Sequence, residues 1–246
     1  MPQIYSNILL TSDRKKISYR HYDYNHNKAL LIAHGFYNSK DAVLLRDLAE
    51  GLIDAYDVFM FDFRGHGKSS GLFTWLTNEE EDLKAVFGYL KGKYAKIGII
   101  AFSLGASAAI NTLKHNAAVD SLVCVSAVSD FNKIDCQFWK LDWKGDFLYT
   151  LISPEGRKGK GVRPGAFWLK KHKPIESVGG VKIPILYIHG QKDWVVKPWH
   201  SQALYDNTHS IKKIVVIKNG PHAEYLMRDS REEFLGEIRD WFVSTM

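Results

Sequence analysis

The chain reads as an α/β protein on a mostly parallel sheet of about eight strands flanked by helices, and three observations carry that expectation. Short continuous apolar runs recur along it, the stretches between them have helical spacing, and 246 residues at 46% hydrophobic content suffice for one large core. Continuous apolar runs separated by helices mark strands that are buried on both faces and joined by right-handed crossovers.

Taken in order, IYSNILL and KISYRHY open the chain as an antiparallel pair. Residues 29–34 (ALLIAH) form the next run, residues 42–52 have helical spacing, and residues 57–63 (DVFMFDF) form the fourth strand. A helix over 79–91, a strand over 97–102, a helix over 104–115 and a strand over 121–127 follow. The rhythm then stops, and resumes with a strand over 183–189, a helix near 200–205, a strand over 214–217 and an amphipathic helix over 230–243. An interruption of that length inside a compact domain predicts a lid or cap over a site. The core is therefore assigned to residues 1–131 and 181–246, and the insertion to residues 132–180.

Charge singles out the same segment. The net charge is +6, and residues 132–182 hold 11 Lys and Arg against 5 Asp and Glu, which leaves the rest of the chain balanced. Two cysteines, Cys124 and Cys136, exclude a disulfide framework or a cysteine metal cluster and suggest a reducing compartment. The N-terminal stretch has no apolar core of a signal peptide, and no stretch approaches the roughly 20 apolar residues of a membrane span. A cytoplasmic protein without integral membrane association is expected.

The sharpest chemical signal is Ala101-Phe102-Ser103-Leu104-Gly105, where an apolar strand meets a helix of small residues. A serine on such a turn is lifted above the sheet, and the turn tolerates only small residues two positions before and after it. Ala101 stands where the motif normally has glycine. As a string alone, the same pattern fits a serine that caps a helix. A serine hydroxyl is a weak nucleophile until a histidine takes its proton and an acid orients that histidine. Both partners follow in order: Asp193 in HGQKD at the end of one strand, and His222 in NGPH after the next. Asp130, after the sixth strand, competes for the acid.

Two further motifs complete the set: His34-Gly35-Phe36 after the third strand and Asp62-Phe63-Arg64-Gly65-His66-Gly67-Lys68-Ser69 after the fourth. Together these motifs resemble those of the α/β-hydrolase superfamily, in its serine esterase, lipase and aminopeptidase-like (monoacylglycerol-lipase-like) branch. The resemblance covers nearly everything outside the insertion. It implies the α/β-hydrolase fold with a lid after the sixth strand, a Ser103–Asp193–His222 triad, and an oxyanion hole of the Phe36 and Leu104 amides. It also favours Asp193 over Asp130, because Trp194-Val195-Val196 follows Asp193 as in the family's acid loop. His34 and His189 are expected to be buried hydrogen-bonding groups, and His66 a structural turn residue. Glu79, Glu80, Glu81 and Asp82 are expected to stabilise the positive end of a helix.

The insertion combines aromatic residues with cations. Trp139, Trp143, Phe167 and Trp168, with Phe36, Tyr37, Phe102 and Trp194 beside the motifs, are the expected lining of an apolar acyl or aromatic pocket. The cations are expected to face solvent or to hold an anionic substrate tail. Gly156, Gly159, Gly161 and Gly165 predict a mobile tip that gates access. No nucleic-acid module accompanies the aromatics, so nucleic acid is not an expected partner. The expected activity is a carboxylic ester hydrolase acting on a small-molecule ester through an acyl-enzyme, with no metal or organic cofactor. An acyl-CoA or acyl-carrier thioesterase and a non-catalytic ligand-binding module on the same fold are the alternatives.

Overall fold

The computed structural model describes residues 3–115, 118–136, 161–166, 168–169 and 171–246. Eight strands form one sheet: β1 (Gln3–Leu10), β2 (Lys16–Asp23), β3 (Lys28–Ala33), β4 (Asp57–Phe61), β5 (Lys96–Phe102), β6 (Ser121–Val125), β7 (Ile185–Gly190) and β8 (Lys212–Ile217). Their order is β1-β2-β4-β3-β5-β6-β7-β8. β1 and β2 are antiparallel, β2 meets β4 antiparallel, and every later pairing is parallel.

The long helices are α1 (Val43–Glu50), α2 (Glu79–Lys91), α3 (Leu104–Leu113), α4 (Trp199–Asp206) and α5 (Arg231–Thr245). Successive strand residues point to opposite faces, so each central strand feeds two apolar layers. Leu31, Ala33, Ile99, Ala101 and Cys124 pack with residues of α2, α3 and α4. Leu30, Ile32, Ile100, Phe102 and Val123 pack with residues of α1 and α5 on the other side. Each fully buried Leu or Ile contributes about 1.5–3 kcal/mol of transfer free energy, which is why the continuous apolar runs become central strands.

Element ends differ from the sequence reading by a few residues, with local causes. β4 ends at Phe61, although the next amide, that of Asp62, still bonds Ser18 O of β2 at 2.9 Å. β6 stops at Val125 because Ser126 adopts φ 50°, which a strand cannot continue through.

The Asp62–Ser69 turn is a structural knot. Asp62 accepts Lys40 N–H, Lys68 N–H and the buried Lys40 ammonium at 2.8, 2.8 and 2.7 Å. Gly67 has φ 44°, and a Cβ there would lie 2.4 Å from the Asp62 carboxylate, so only glycine fits. Two of the four acids at the start of α2 depart from the expected role. Asp82 accepts the Arg64 N–H and Nε–H at 2.8 and 2.9 Å, and Glu79 accepts the Thr74 and Leu76 amides, both at 2.7 Å. Both carboxylates are fully buried and hold loops together, so hydrogen bonding rather than the helix dipole explains them.

Most of the insertion, including Trp139, Trp143, Gly156 and Gly159, and also Phe167, lies outside the described residues. The part that returns to the core is anchored. Phe73 N–H bonds Arg163 O at 2.9 Å, Arg163 N–H bonds Gly65 O at 2.7 Å, and Gly165 N–H bonds Phe73 O at 2.8 Å. Gly165 therefore belongs to this anchor and not to a mobile tip.

Candidate active site

The parallel order places a switch point between β3 and β5, since the chain runs outward from β3 to β4 in one direction and from β5 to β6 in the other. Open α/β sheets bind ligands in the crevice at such a point, beyond the carboxyl ends of the strands. His34-Gly35-Phe36 leaves β3 there, and Ser103 leaves β5 beside it.

Ser103 sits between β5 and α3 with φ 47° and ψ −109°, and its N–H bonds Val125 O at 2.8 Å. A capping serine has an extended backbone and bonds an amide of the first helical turn. Ser103 has neither feature: its φ is positive and its hydroxyl makes no cap bond. A left-handed non-glycine residue costs of order 1–3 kcal/mol and persists only where the surroundings impose it. The close packing of β3 on α3 imposes it here. A Cβ on Gly105 would lie 2.5 Å from His34 O and 2.6 Å from Ala33 O, which excludes any side chain. Ala101 is fully buried within the layer that contains α3, so a methyl group is accommodated at the departing position of the motif.

Leu104 opens α3, and its amide is one of those the helix leaves unpaired at its positive end. Gly35 packs directly on Ser103, with a Cβ position 3.4 Å from Ser103 Cβ. His34 brackets this loop, donating from Nδ1 to Gly35 O at 2.7 Å while Nε2 accepts the Phe63 N–H at 3.0 Å. Burial lowers its pKa to about 4. His66 is buried against it, with ring centroids 5.0 Å apart, and its pKa is lowered to about 3 by burial and then by the neighbouring His34. Neither ring is positioned as a solvent-facing base.

Asp193 and His222 come from the loops after β7 and β8. His222 Nδ1 lies 2.7 Å from Asp193 Oδ2. The other carboxylate oxygen accepts the Val195 and Val196 amides at 2.9 and 2.8 Å. Burial alone would raise the Asp193 pKa, but the charge of His222 and hydrogen bonds from His189 and His222 outweigh it and hold the carboxyl well below its usual range. Gly190 brings the two loops together, since a Cβ there would lie 2.1 Å from Pro221 O and 2.4 Å from Gly220 O. The His222 segment is also tied to β6, because Ala223 N–H bonds Ser126 Oγ at 3.0 Å. Asp130 is committed elsewhere, capping Asn132 N–H at 3.0 Å and pairing with the Lys173 ammonium at 3.1 Å.

The expected lining residues divide. Phe36 and Tyr37 are about half exposed at the crevice, with ring centroids 6.5 Å apart, and Trp194 is partly buried beside Asp193. Phe102 does not line a pocket: it is fully buried on the opposite face of the sheet, 6.3 Å from the Phe234 ring of α5, because it alternates with Ala101 along β5 and shares the face of Ile100. Trp168 is 75% exposed and does not face the core as the aromatic pattern suggested. Trp75 is a residue the sequence reading missed. Its ring stacks on Phe36 at 5.6 Å and meets Phe73 at 4.9 Å. A lone Trp in a loop carried no periodic signal that could have found it. Three cations of the insertion are engaged by protein: Arg163 bonds Gly67 O and Ser69 O, Lys171 lies 5.7 Å from the Trp75 ring, and Lys173 pairs with Asp130. No helix among the described residues is long and apolar enough to cross a membrane.

Comparison with known proteins agrees with this architecture. The alpha/beta hydrolase fold family matches residues 28–149. The Pyrococcus furiosus esterase Pf2001 superposes with a TM-score of 0.79 at 26% identity, covering 99% of this chain and 93% of that one. The uncharacterized protein YfhR of Escherichia coli K12 is 24% identical over 201 residues, or 78% of this chain and 62% of its own length. The alpha/beta hydrolase domain-containing protein WAV2 of Arabidopsis thaliana is 27% identical over 157 residues, or 61% of this chain and 47% of its own. The chain thus spans less than two thirds of these two relatives. Sheet order, the turn at Ser103 and the family match converge on one conclusion, that the chain belongs to the α/β-hydrolase superfamily.

Proposed function

We propose that the chain is a serine hydrolase of carboxylic esters, with Ser103 as nucleophile, His222 as base and Asp193 as the acid that orients it. The observation that carries this reading is the 2.7 Å contact of His222 Nδ1 with Asp193, on the same sheet edge as a strained serine that caps nothing. Because Nδ1 faces a carboxylate, it carries the proton, and Nε2 is the basic nitrogen.

His222 Nε2 takes the Ser103 proton as Oγ attacks the ester carbonyl. The tetrahedral oxyanion is held by the Leu104 and Phe36 amides, each worth about 10²–10³ in rate. Collapse expels the alcohol, which takes the proton back from His222. Water, deprotonated by the same nitrogen, then attacks the acyl-serine and releases the acid. The similarity to the Pyrococcus furiosus esterase supports an ester as the electrophile. Phe36 and Trp75 form an aromatic wall suited to an apolar acyl or aromatic group. The thioester alternative draws no support from Arg163, Lys171 or Lys173, since the protein itself engages all three.

Ser103→Ala should lose p-nitrophenyl acetate turnover by on the order of 10⁶ in kcat, down to background, with an unchanged melting temperature. A fluorophosphonate probe should label the native protein and not this variant. Turnover or labelling retained in Ser103→Ala would refute the nucleophile.

A further inference from the structure

His189 ends β7 inside the core, four residues before Asp193, and is fully buried. Its two ring nitrogens have different surroundings. Nδ1 lies 2.7 Å from Ser201 Oγ, a group able to donate or accept. Nε2 faces two acceptors, Val196 O at 2.7 Å and Asp193 Oδ2 at 3.2 Å. A ring nitrogen between a carbonyl and a carboxylate carries the proton. The Ser201 hydroxyl on α4 therefore donates to Nδ1 and holds the plane of the ring.

We propose that His189 is a positioning residue for the catalytic acid: its Nε2–H, oriented by Ser201, locks the Asp193 carboxylate and moderates the basicity that Asp193 imparts to His222. This rests on the triad reading above. Val196 is gripped at both ends, its N–H by Asp193 Oδ1 and its C=O by His189 Nε2, so residues 189–196 close into a ring that leaves the acid one rotamer. Asp193 Oδ2 is shared by the two histidines, at 2.7 Å from His222 and 3.2 Å from His189. An N–H aimed at that oxygen offsets part of the negative field that stabilises protonated His222.

The other titratable groups nearby do not supply this effect. His200 on α4 is bonded to Ser129 Oγ at 2.7 Å and held at a pKa of about 4 by burial, so it is uncharged at neutral pH. Burial pushes the Cys136 thiol up, and the Glu224 carboxylate accepts Asn38 Nδ2–H at 2.6 Å.

The test follows the His222 ring protons by NMR against pH in the whole chain, which requires no turnover. His189→Phe should raise the His222 pKa by about one unit and carry the acid limb of kcat/KM with it. His189→Gln, whose amide N–H reaches the place of Nε2, should return it to within about 0.3 units of the native value. His189→Leu, which also removes the N–H, should shift His222 in the same direction and carries the test if His189→Phe does not fold. A His222 pKa unchanged in a folded His189→Phe or His189→Leu, or a His189→Gln that behaves as His189→Phe, would overturn the proposal. Failure of the ester reading would show instead as activity retained in Ser103→Ala, with the His222 titration still legible.

Discussion

Gly190→Ala separates the two loops whose contact builds the proposed acid–base pair, and the structure sets the size of the effect. The added methyl would stand 2.1 Å from Pro221 O and 2.4 Å from Gly220 O, both backbone atoms one or two residues from His222. Ordinary contact begins near 3.4 Å, so the His222 loop must retreat by about 1.3 Å from the acid loop. Lys192 N–H bonds Gly220 O at 2.9 Å across the same seam, so the movement also breaks a bond between the loops. A displacement of about 1 Å takes the 2.7 Å His222–Asp193 contact beyond hydrogen-bond range and should cost roughly 10² in kcat/KM. The assay is p-nitrophenyl acetate hydrolysis with thermal unfolding run alongside. Gly236→Ala is the control: it lies inside α5 with nothing within 4 Å of the added methyl, and should keep full activity with unfolding neutral or about 0.5–1 kcal/mol more favourable to the fold. Activity within twofold of native in Gly190→Ala would mean that the two loops do not need this close approach, and the reasoning would fail.

Two other outcomes follow from the same geometry. Asp193→Asn should lower kcat by on the order of 10⁴ by leaving His222 in the wrong tautomer, while Asp130→Asn, which loses only a turn cap and the Lys173 pair, should stay near native; the reverse order in a side-by-side assay would move the acid to position 130. His34 and His66 are held uncharged by burial, at about 4 and about 3, whereas an unfolded histidine titrates near 6.5. The unfolded chain therefore binds protons first as pH falls, so stability is full above about 6.5 and declines toward about 4 and below. Urea midpoints across that range should show the slope, and His66→Phe should flatten it; an undiminished slope would show that His66 is not the source.

Much of the candidate site was legible because its motifs are local in sequence. A serine between a strand run and a small-residue helix, an aspartate in HGQKD and a histidine in NGPH each announce themselves through their neighbours, and the chain order places them on one sheet edge. The acids at the start of α2 were read less well. Helix position explains a row of carboxylates cheaply, but Glu79 and Asp82 are buried by loops that are remote in sequence and use them as amide acceptors. Phe102 and Trp168 misled for a related reason. An aromatic beside a motif has two faces of a sheet to choose from, and alternation along β5 puts Phe102 with Ile100 on the face of α1 and α5.

By itself the sequence determined the α/β alternation, the apolar runs that become buried strands and the small residues at 105 and 190, because these depend on period, hydrophobicity and side-chain volume along the chain. Only the tertiary structure decided which acid meets His222, that His189 shares that acid, that Trp75 joins Phe36, and that Arg163, Lys171 and Lys173 are engaged by the protein. Those are matters of contact between segments far apart in the chain. A hydrogen bond of 2.7 Å depends on loop packing to a fraction of an ångström, and no local pattern encodes that.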